Sequence, residues 1–204
     1  MRILAFSDVH GDQSLIDRIK QAAKDCDLIL CCGDITPAHG RTIYVARQIG
    51  KLNARVLAIP GNFELPNDMR TVCKELGWID LHGKSFEING IVFAGCGGGN
   101  IGPFRTPYEL SEQEFKELLD KLDTSKPFVF VSHCPPKGFV DEPRQGMHVG
   151  SEAMRKFVEE KQPIFQFCGH IHESGGKEAS IGNTRVINVA KQIKLLDIKT
   201  TLPS

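Results

Sequence analysis

Short apolar runs alternate with amphipathic ones through the first part of the chain. Ile3 to Phe6, Leu28 to Cys32 and Val56 to Ile59 are four or five residues long and rich in aliphatic and β-branched side chains, so they predict strands. No polar residue interrupts them, which is the pattern of strands covered on both faces. Between them, Ser14 to Ala23 and Thr42 to Leu52 place apolar residues three and four apart, as helices laid on a sheet do. The order is β-α-β-α-β.

The second half mixes its signals. Phe86-Glu87-Ile88 and Ile91-Val92-Phe93 flank Asn89-Gly90, which predicts a tight hairpin and brings in antiparallel pairing. Ser111 and Glu114 have capping-box spacing. Phe115, Leu118, Leu119 and Leu122 follow as a helical stripe that stops near Pro127. Phe128 to Ser132 predicts a strand, and Met154, Phe157 and Val158 mark a helix ahead of Pro163. Ile164 to Phe167, Thr184 to Val189 and Ile193 to Ile198 predict further strands, with Gly182-Asn183 a candidate turn. No repeat, low-complexity tract or linker interrupts this order. The expectation is one α/β domain over residues 1–204, with two sheets packed between helices.

The polar residues with chemical potential fall just after the predicted strands: Asp8-Val9-His10, Gly33-Asp34, Gly61-Asn62-Phe63-Glu64, Ser132-His133 and Gly169-His170-Ile171-His172. In open α/β sheets, ligands bind beyond the carboxyl ends of strands, so these loops can meet in one crevice. In Asp8-x-His10 and His170-x-His172 an extended middle residue puts both flanking side chains on one face. The glycines ahead of Asp34, Asn62 and His170 allow sharp turns and a close approach to the backbone. Carboxylate, amide oxygen and imidazole together suit Mn, Fe, Ni or Zn, and this much imidazole disfavours Ca or Mg alone.

Composition narrows the alternatives. Twenty-five basic and 25 acidic side chains cancel, and no run of five like charges occurs, so no nucleic-acid footprint is present. No stretch approaches the ~20 apolar residues that cross a bilayer. Met1-Arg2 is followed by only four apolar residues before Ser7-Asp8, short for an export signal. The seven cysteines form an odd set without a C-x-x-C pair, so small core residues in a reducing cytoplasm are the expectation.

The ordered set D-x-H, G-D, G-N-x-E, H and G-H-x-H, running from Asp8 to His172, resembles the calcineurin-like metallophosphoesterase superfamily. Pro135-Pro136 and Gly146-Met147-His148-Val149-Gly150-Ser151 are similar to small prokaryotic members with phosphodiesterase activity. The resemblance implies a four-layer α-β-β-α sandwich with two mixed sheets, two divalent metal ions and a small phosphate-ester substrate. It implies that Asp8, His10 and His172 bind one ion, that Asn62, His133 and His170 bind the other, and that Asp34 bridges both. Two ions at +4, two carboxylates and one bridging hydroxide leave a net +1, which attracts phosphate. Metals ~3.5–4 Å apart bring the pKa of a bound water from 15.7 towards ~7, and in-line attack on phosphorus is the implied reaction.

Phe63 departs from the pattern, because the third motif in that superfamily usually carries a histidine there. That histidine stabilises the transferring phosphoryl group or protonates the leaving group. His148 either enters the site as a catalytic residue and takes over this task or is an ordinary loop residue, and the sequence leaves both open. The rival class is a catalytically weak metal-binding scaffold for protein contacts, towards which Phe63 points. The seven occupied ligand positions point the other way, and a nuclease ranks last for want of basic surface. Glu64 bonds to a ligand or stabilises the start of the helix containing Met69, Val72 and Leu76, and the helix role is the reading taken. Gly97-x-Gly99-x-x-Gly102 formally matches a dinucleotide fingerprint. Pro103 and Pro107 follow where a helix would be needed, so a flexible loop rimming the site is expected. His39 and His82 are expected to be exposed loop residues, and Arg105 and Lys126 ordinary surface.

Overall fold

A computed structural model of the chain describes residues 1–37, 40–125 and 127–198, so His39 and Lys126 lie outside the described residues. The first half runs β1 (Arg2–Phe6), α1 (Gln13–Ala22), β2 (Leu28–Cys31), α2 (Thr42–Ile49), β3 (Arg55–Ala58), α3 (Pro66–Leu76) and β4 (Ile79–Asp80). There follow β5 (Lys84–Ile88), β6 (Ile91–Cys96), β7 (Gly99–Asn100), β8 (Glu109–Leu110), α4 (Glu112–Leu119) and β9 (Phe128–Ser132). The chain continues through α5 (Glu152–Lys161), β10 (Phe165–Cys168), β11 (Glu178–Ile181), β12 (Thr184–Asn188) and β13 (Ile193–Asp197).

Two large mixed sheets result. One has the order β13-β1-β2-β3-β4, the other β11-β12-β10-β9-β6-β5, and β7 pairs separately with β8. Strands β1, β2 and β3 are mutually parallel, and so are β6, β9, β10 and β12. β13, β5 and β11 pair antiparallel with their neighbours. The period of two along each strand assigns its side chains to different layers. Leu4, Phe6, Ile29, Cys31, Val56 and Ala58 face α1, α2 and α3, where they meet Ile16, Ile19, Ala46, Ile49, Met69 and Val72. On the opposite face Ile3, Ala5, Leu28, Leu30 and Leu57 meet Phe93, Val129, Val131, Phe167 and Ile187 of the second sheet. The outer face of that sheet puts Val92, Phe128, Phe130 and Val186 against Phe115 and Leu119 of α4 and against Met154, Phe157 and Val158 of α5. Three apolar interfaces thus separate four layers, helices, sheet, sheet and helices. This explains the uninterrupted apolar strands, since both faces are buried.

Local signals hold where they are strong. Asn89 and Gly90 have φ of 52° and 80°, as a tight hairpin between β5 and β6 requires. Ser111 and Glu114 form the reciprocal capping box at the start of α4. Gly182-Asn183 connects β11 to β12, with Ile181 opposite Thr184. The short strands β4, β7, β8 and β11 have no apolar run to announce them. No helix among the described residues is long and apolar enough to cross a membrane.

His82 corrects its expectation. It is only 8% exposed, bridges to Gly95, and accepts the Gly97 N–H at Nδ1 at 2.9 Å. Its Nε2 stands 3.0 Å from the Tyr108 hydroxyl. An imidazole accepting at Nδ1 keeps its proton on Nε2, so the ring is neutral and donates to Tyr108. Burial is the main cause that lowers its pKa from 6.5 to about 4. Between these values the unfolded chain binds a proton that the native ring refuses, so native stability falls as pH drops from 6.5 towards 4. The expected loss is up to about 3 kcal/mol. Denaturant unfolding at pH 7 and pH 4.5 should show His82→Gln losing less stability over this interval than wild type; equal losses would contradict the neutral buried ring.

Candidate metal centre

Five strands deliver the polar residues to one place. β1 is followed by Asp8 and His10, β2 by Asp34, β3 by Asn62, β9 by His133, and β10 by His170 and His172. Within each sheet these strands run parallel, so their carboxyl ends share an edge, and the packing of the two sheets brings the edges together. His10 Nε2 lies 3.3 Å from His172 Nε2, 3.8 Å from Asp8 Oδ1 and 3.7 Å from Asp34 Oδ2. His172 Nε2 lies 3.1 Å from Asp8 Oδ1. On the other side His133 Nε2 is 3.5 Å from Asp34 Oδ2, and Asn62 Oδ1 is 2.8 Å from both His133 Nε2 and His170 Nδ1. The structure therefore brings all seven candidate ligands together. His148 stands on a neighbouring loop, with Nδ1 2.7 Å from Asp141 Oδ1.

The imidazoles are aimed. His10 Nδ1 is 2.8 Å from the Thr36 carbonyl and His133 Nδ1 is 2.8 Å from the Cys32 carbonyl, so both rings donate there and turn Nε2 inward. A backbone carbonyl behind each ring fixes the tautomer, an arrangement typical of metal-binding histidines. With their remaining protons displaced, the inward atoms are lone pairs from imidazole, carboxylate and amide oxygen. Asp8, His10 and His172 offer donor atoms all within 4.8 Å of one another, and so do Asp8, Asp34 and His133. Lone pairs this close repel unless a cation lies among them, so the donor set fits divalent metal ions bound through oxygen and nitrogen.

Backbone strain collects at the same place. Asp8, His10, Asp34 and His170 have φ of 56°, 45°, 51° and 69°, a region that L-residues avoid. Two glycines are dictated by space more than by φ: a Cβ on Gly61 would collide with the Asp34 carboxylate, and one on Gly169 with Ser7 and Asp8. Asp34 uses Oδ1 to accept the Phe63 N–H at 2.9 Å, which leaves Oδ2 between His10 and His133. The Phe63 ring meets the His10 ring edge-on, with centroids 5.3 Å apart.

Charge follows from burial and proximity. Burial raises the Asp8 carboxyl, but the His172 hydrogen bond and the charges of His133 and His172 outweigh it and hold Asp8 well below the usual carboxylate range. Burial lowers His133, but Asp34, and after it Asp8, outweigh that and push it up to about 9. His170 falls to about 4 through burial and the charge of His133. One proton on His133 thus offsets part of the negative charge of two buried aspartates, and a metal ion would displace it.

Glu64 corrects the helix reading. The cap of α3 is Leu65, and Glu64 is fully buried with its carboxylate accepting the N–H groups of Asp34 at 2.9 Å, Thr36 at 2.8 Å and Gly61 at 2.8 Å. It ties the loop after β2 to the loop after β3, and so holds Asp34 and Asn62 in register. Burial, and next the Asp34 charge, push its pKa up to about 7. No local pattern marks this role, because two of the three partners are backbone amides about 30 residues away.

The glycine-rich segment does rim the centre, but as a tied structure. Gly99 packs against Asn62 and His170, Tyr108 donates its N–H to the Asn62 carbonyl at 2.9 Å, and Glu109 accepts from Gly102 and Thr106. The next helix begins at Glu112, so no pyrophosphate cradle forms. Arg105 is exposed. The seven cysteines are unpaired, and burial raises the thiols of all seven.

Glu64→Gln puts an amide N–H₂ among three backbone donors, so at least one loses its partner. The expected cost is about 1–3 kcal/mol of stability, together with weaker metal binding; denaturant melts and calorimetric metal titration check both. A variant with unchanged metal affinity would show that Glu64 does not position Asp34.

Comparison with known proteins adds an independent line. The sequence model of the calcineurin-like phosphoesterases matches residues 1–174. The uncharacterised protein MJ1162 of Methanocaldococcus jannaschii is 36% identical over 199 residues, covering 92% of this chain and 87% of its own length. Among solved structures, TT1561 of Thermus thermophilus superposes with a TM-score of 0.70 at 16% identity, over 97% of this chain and 99% of its own. A structure described as a novel archaeal phosphodiesterase gives 0.55 at 15% identity, over 93% and 84%. At such identities the two structures share a fold. Because the matched span contains all five strand-end motifs, this chain belongs to the calcineurin-like phosphoesterase family.

Proposed function

We propose that this chain is a phosphodiesterase acting on a small phosphate ester through two divalent metal ions. In this reading Asp8, His10 and His172 hold one ion, Asn62, His133 and His170 hold the other, and Asp34 serves both. The observation that carries it is the position of Asp34 Oδ2, 3.7 Å from His10 Nε2 and 3.5 Å from His133 Nε2, between the two donor sets. When bound, such ions make a water nucleophilic at neutral pH and draw charge from phosphate oxygens. The protein's share is to aim the imidazoles through the carbonyls of Thr36 and Cys32 and to fix Asp34 through Glu64. We read the 204 residues as one domain, since each sheet is shared between two of the three apolar interfaces.

The diester preference follows from position 63. A phosphomonoester is close to doubly charged at neutral pH and a diester singly charged, so a lost imidazole donor weakens stabilisation of the monoester more. Phe63 supplies no proton and no hydrogen bond from its ring. A protein described as an archaeal phosphodiesterase has the same fold. Oxygen and imidazole donors favour Mn, Ni, Fe or Zn over Mg.

Metal-stripped protein should hydrolyse a chromogenic phosphodiester faster than the matching monoester once Mn or Ni is added back. His133→Ala should lower turnover by about 10²-fold or more, the scale expected when one stabilising group is removed from a transition state. Asp34→Asn should abolish turnover and loosen both ions together, which metal analysis after gel filtration reads directly. Two ions retained tightly by Asp34→Asn would refute the shared role, and no turnover despite two bound ions would favour a scaffold.

A further inference from the structure

We infer that His148, oriented by Asp141, protonates the departing alcohol of the ester; this rests on the phosphoesterase reading above and adds the proton donor that Phe63 cannot be. Asp141 is fully buried, and its carboxylate is completely engaged. Oδ2 accepts the N–H groups of Gly138 at 3.0 Å and Gly150 at 2.8 Å, and Oδ1 takes His148 Nδ1 at 2.7 Å. A buried carboxylate on Nδ1 fixes the ring and its tautomer, as in hydrolytic Asp-His pairs. The side chain of His148 stays 39% exposed, with Nε2 3.5 Å from Glu142 Oε1.

The loop that carries the pair is clamped to the metal centre from two sides. Asn188 Nδ2 donates to the carbonyls of Val140, Gly169 and Ile171, and the Glu142 N–H donates to Ser174 Oγ. Residues beside Asp141 are thereby bonded to the segment bearing His170 and His172. On the other flank the Val149 carbonyl accepts from Asn100 Nδ2 at 2.9 Å, and Asn100 adjoins Gly99, which lies against Asn62 and His170. Of the two described histidines outside the metal set, His82 is buried with both nitrogens engaged, and His148 is the one whose side chain stays partly exposed.

The step balances. A water oxygen bonds to phosphorus as the bond from phosphorus to the alcohol oxygen breaks, and the electron pair of that bond goes to the alcohol oxygen. That oxygen takes the Nε2 proton of the imidazolium, leaving neutral imidazole with Nδ1–H on Asp141. The water's proton leaves to solvent, which later recharges Nε2. The products are an alcohol and a phosphomonoester. A general acid matters most for alcohols that leave poorly, so the substrate class is diesters of aliphatic alcohols.

The test is a series of methyl phosphodiesters whose second alcohol runs from p-nitrophenol through phenol to an aliphatic alcohol, assayed with Mn-loaded full-length protein. His148→Ala and His148→Gln should lose progressively more kcat along the series, reaching about 10²-fold or more for the aliphatic alcohol, the range of general-acid catalysis. Asp141→Asn, a positioning change, should steepen the same dependence, whereas a merely structural role would depress all substrates alike. Metal content and thermal unfolding of each variant are measured in parallel. A loss equal across the series, or no loss, overturns the assignment while leaving the esterase reading intact. Wild type inactive on every member with two ions bound overturns both.

Discussion

The structure turns on two buried aspartates that cannot both be charged without positive charge beside them. Asp8 and Asp34 are almost wholly excluded from water, and taking carboxylates out of water costs several kcal/mol each unless the charge is met. Four imidazoles surround them, and the only counter-charge those can supply is protons. With two imidazoles already donating to backbone carbonyls through Nδ1, the inward nitrogens serve a cation better than they serve each other. The fold therefore keeps a group of donors whose mutual repulsion a bound cation would relieve, and that is the physical reason the cluster suits a metal ion.

Such a cluster has to be held against strain. Each residue in left-handed backbone costs on the order of 1 kcal/mol, and Asp8, His10, Asp34 and His170 share that condition. The restraint comes from the strands behind them, which are hydrogen-bonded on both sides and packed on both faces, and from Glu64, which draws two loops onto one carboxylate. Packing and site are one problem: Gly61 and Gly169 leave no room for a side chain because the carboxylates of Asp34 and Asp8 fill the space.

This division also explains what was legible in the sequence. Strands buried on both faces read as apolar runs, and the candidate ligand loops read as D-x-H or G-H-x-H because each motif is local in sequence, although Asp8, His10 and His170 stand in left-handed backbone and not on an extended segment. The capping box at Ser111 and the hairpin at Asn89-Gly90 were legible because their bonds close within a few residues. Glu64 and His82 were misread for the opposite reason. Their partners are the amides of Asp34, Thr36 and Gly61 in one case and the Gly97 amide with Tyr108 in the other, contacts set by tertiary packing. The two-residue strands β4, β7 and β8 carry too few positions for any periodicity.

Position 63 shows how one substitution changes a site without dismantling it. A histidine there would add a donor over the phosphate; the phenylalanine instead packs edge-on against His10, while its N–H still binds Asp34 Oδ1. The backbone contribution of the third motif survives because it belongs to any residue, and only the side-chain contribution is lost. On the proposed reading, metal binding and proton donation are separable: the first would depend on donors locked at the strand ends, the second on whichever loop presents a proton. A loop source must be held as firmly as a strand-end ligand, because proton transfer needs an approach to hydrogen-bond distance. Asn188 would answer that need, since one amide spans the carbonyls on both sides of His170 and the carbonyl before Asp141, so that the loop after β10 and the 135–150 loop share an anchor.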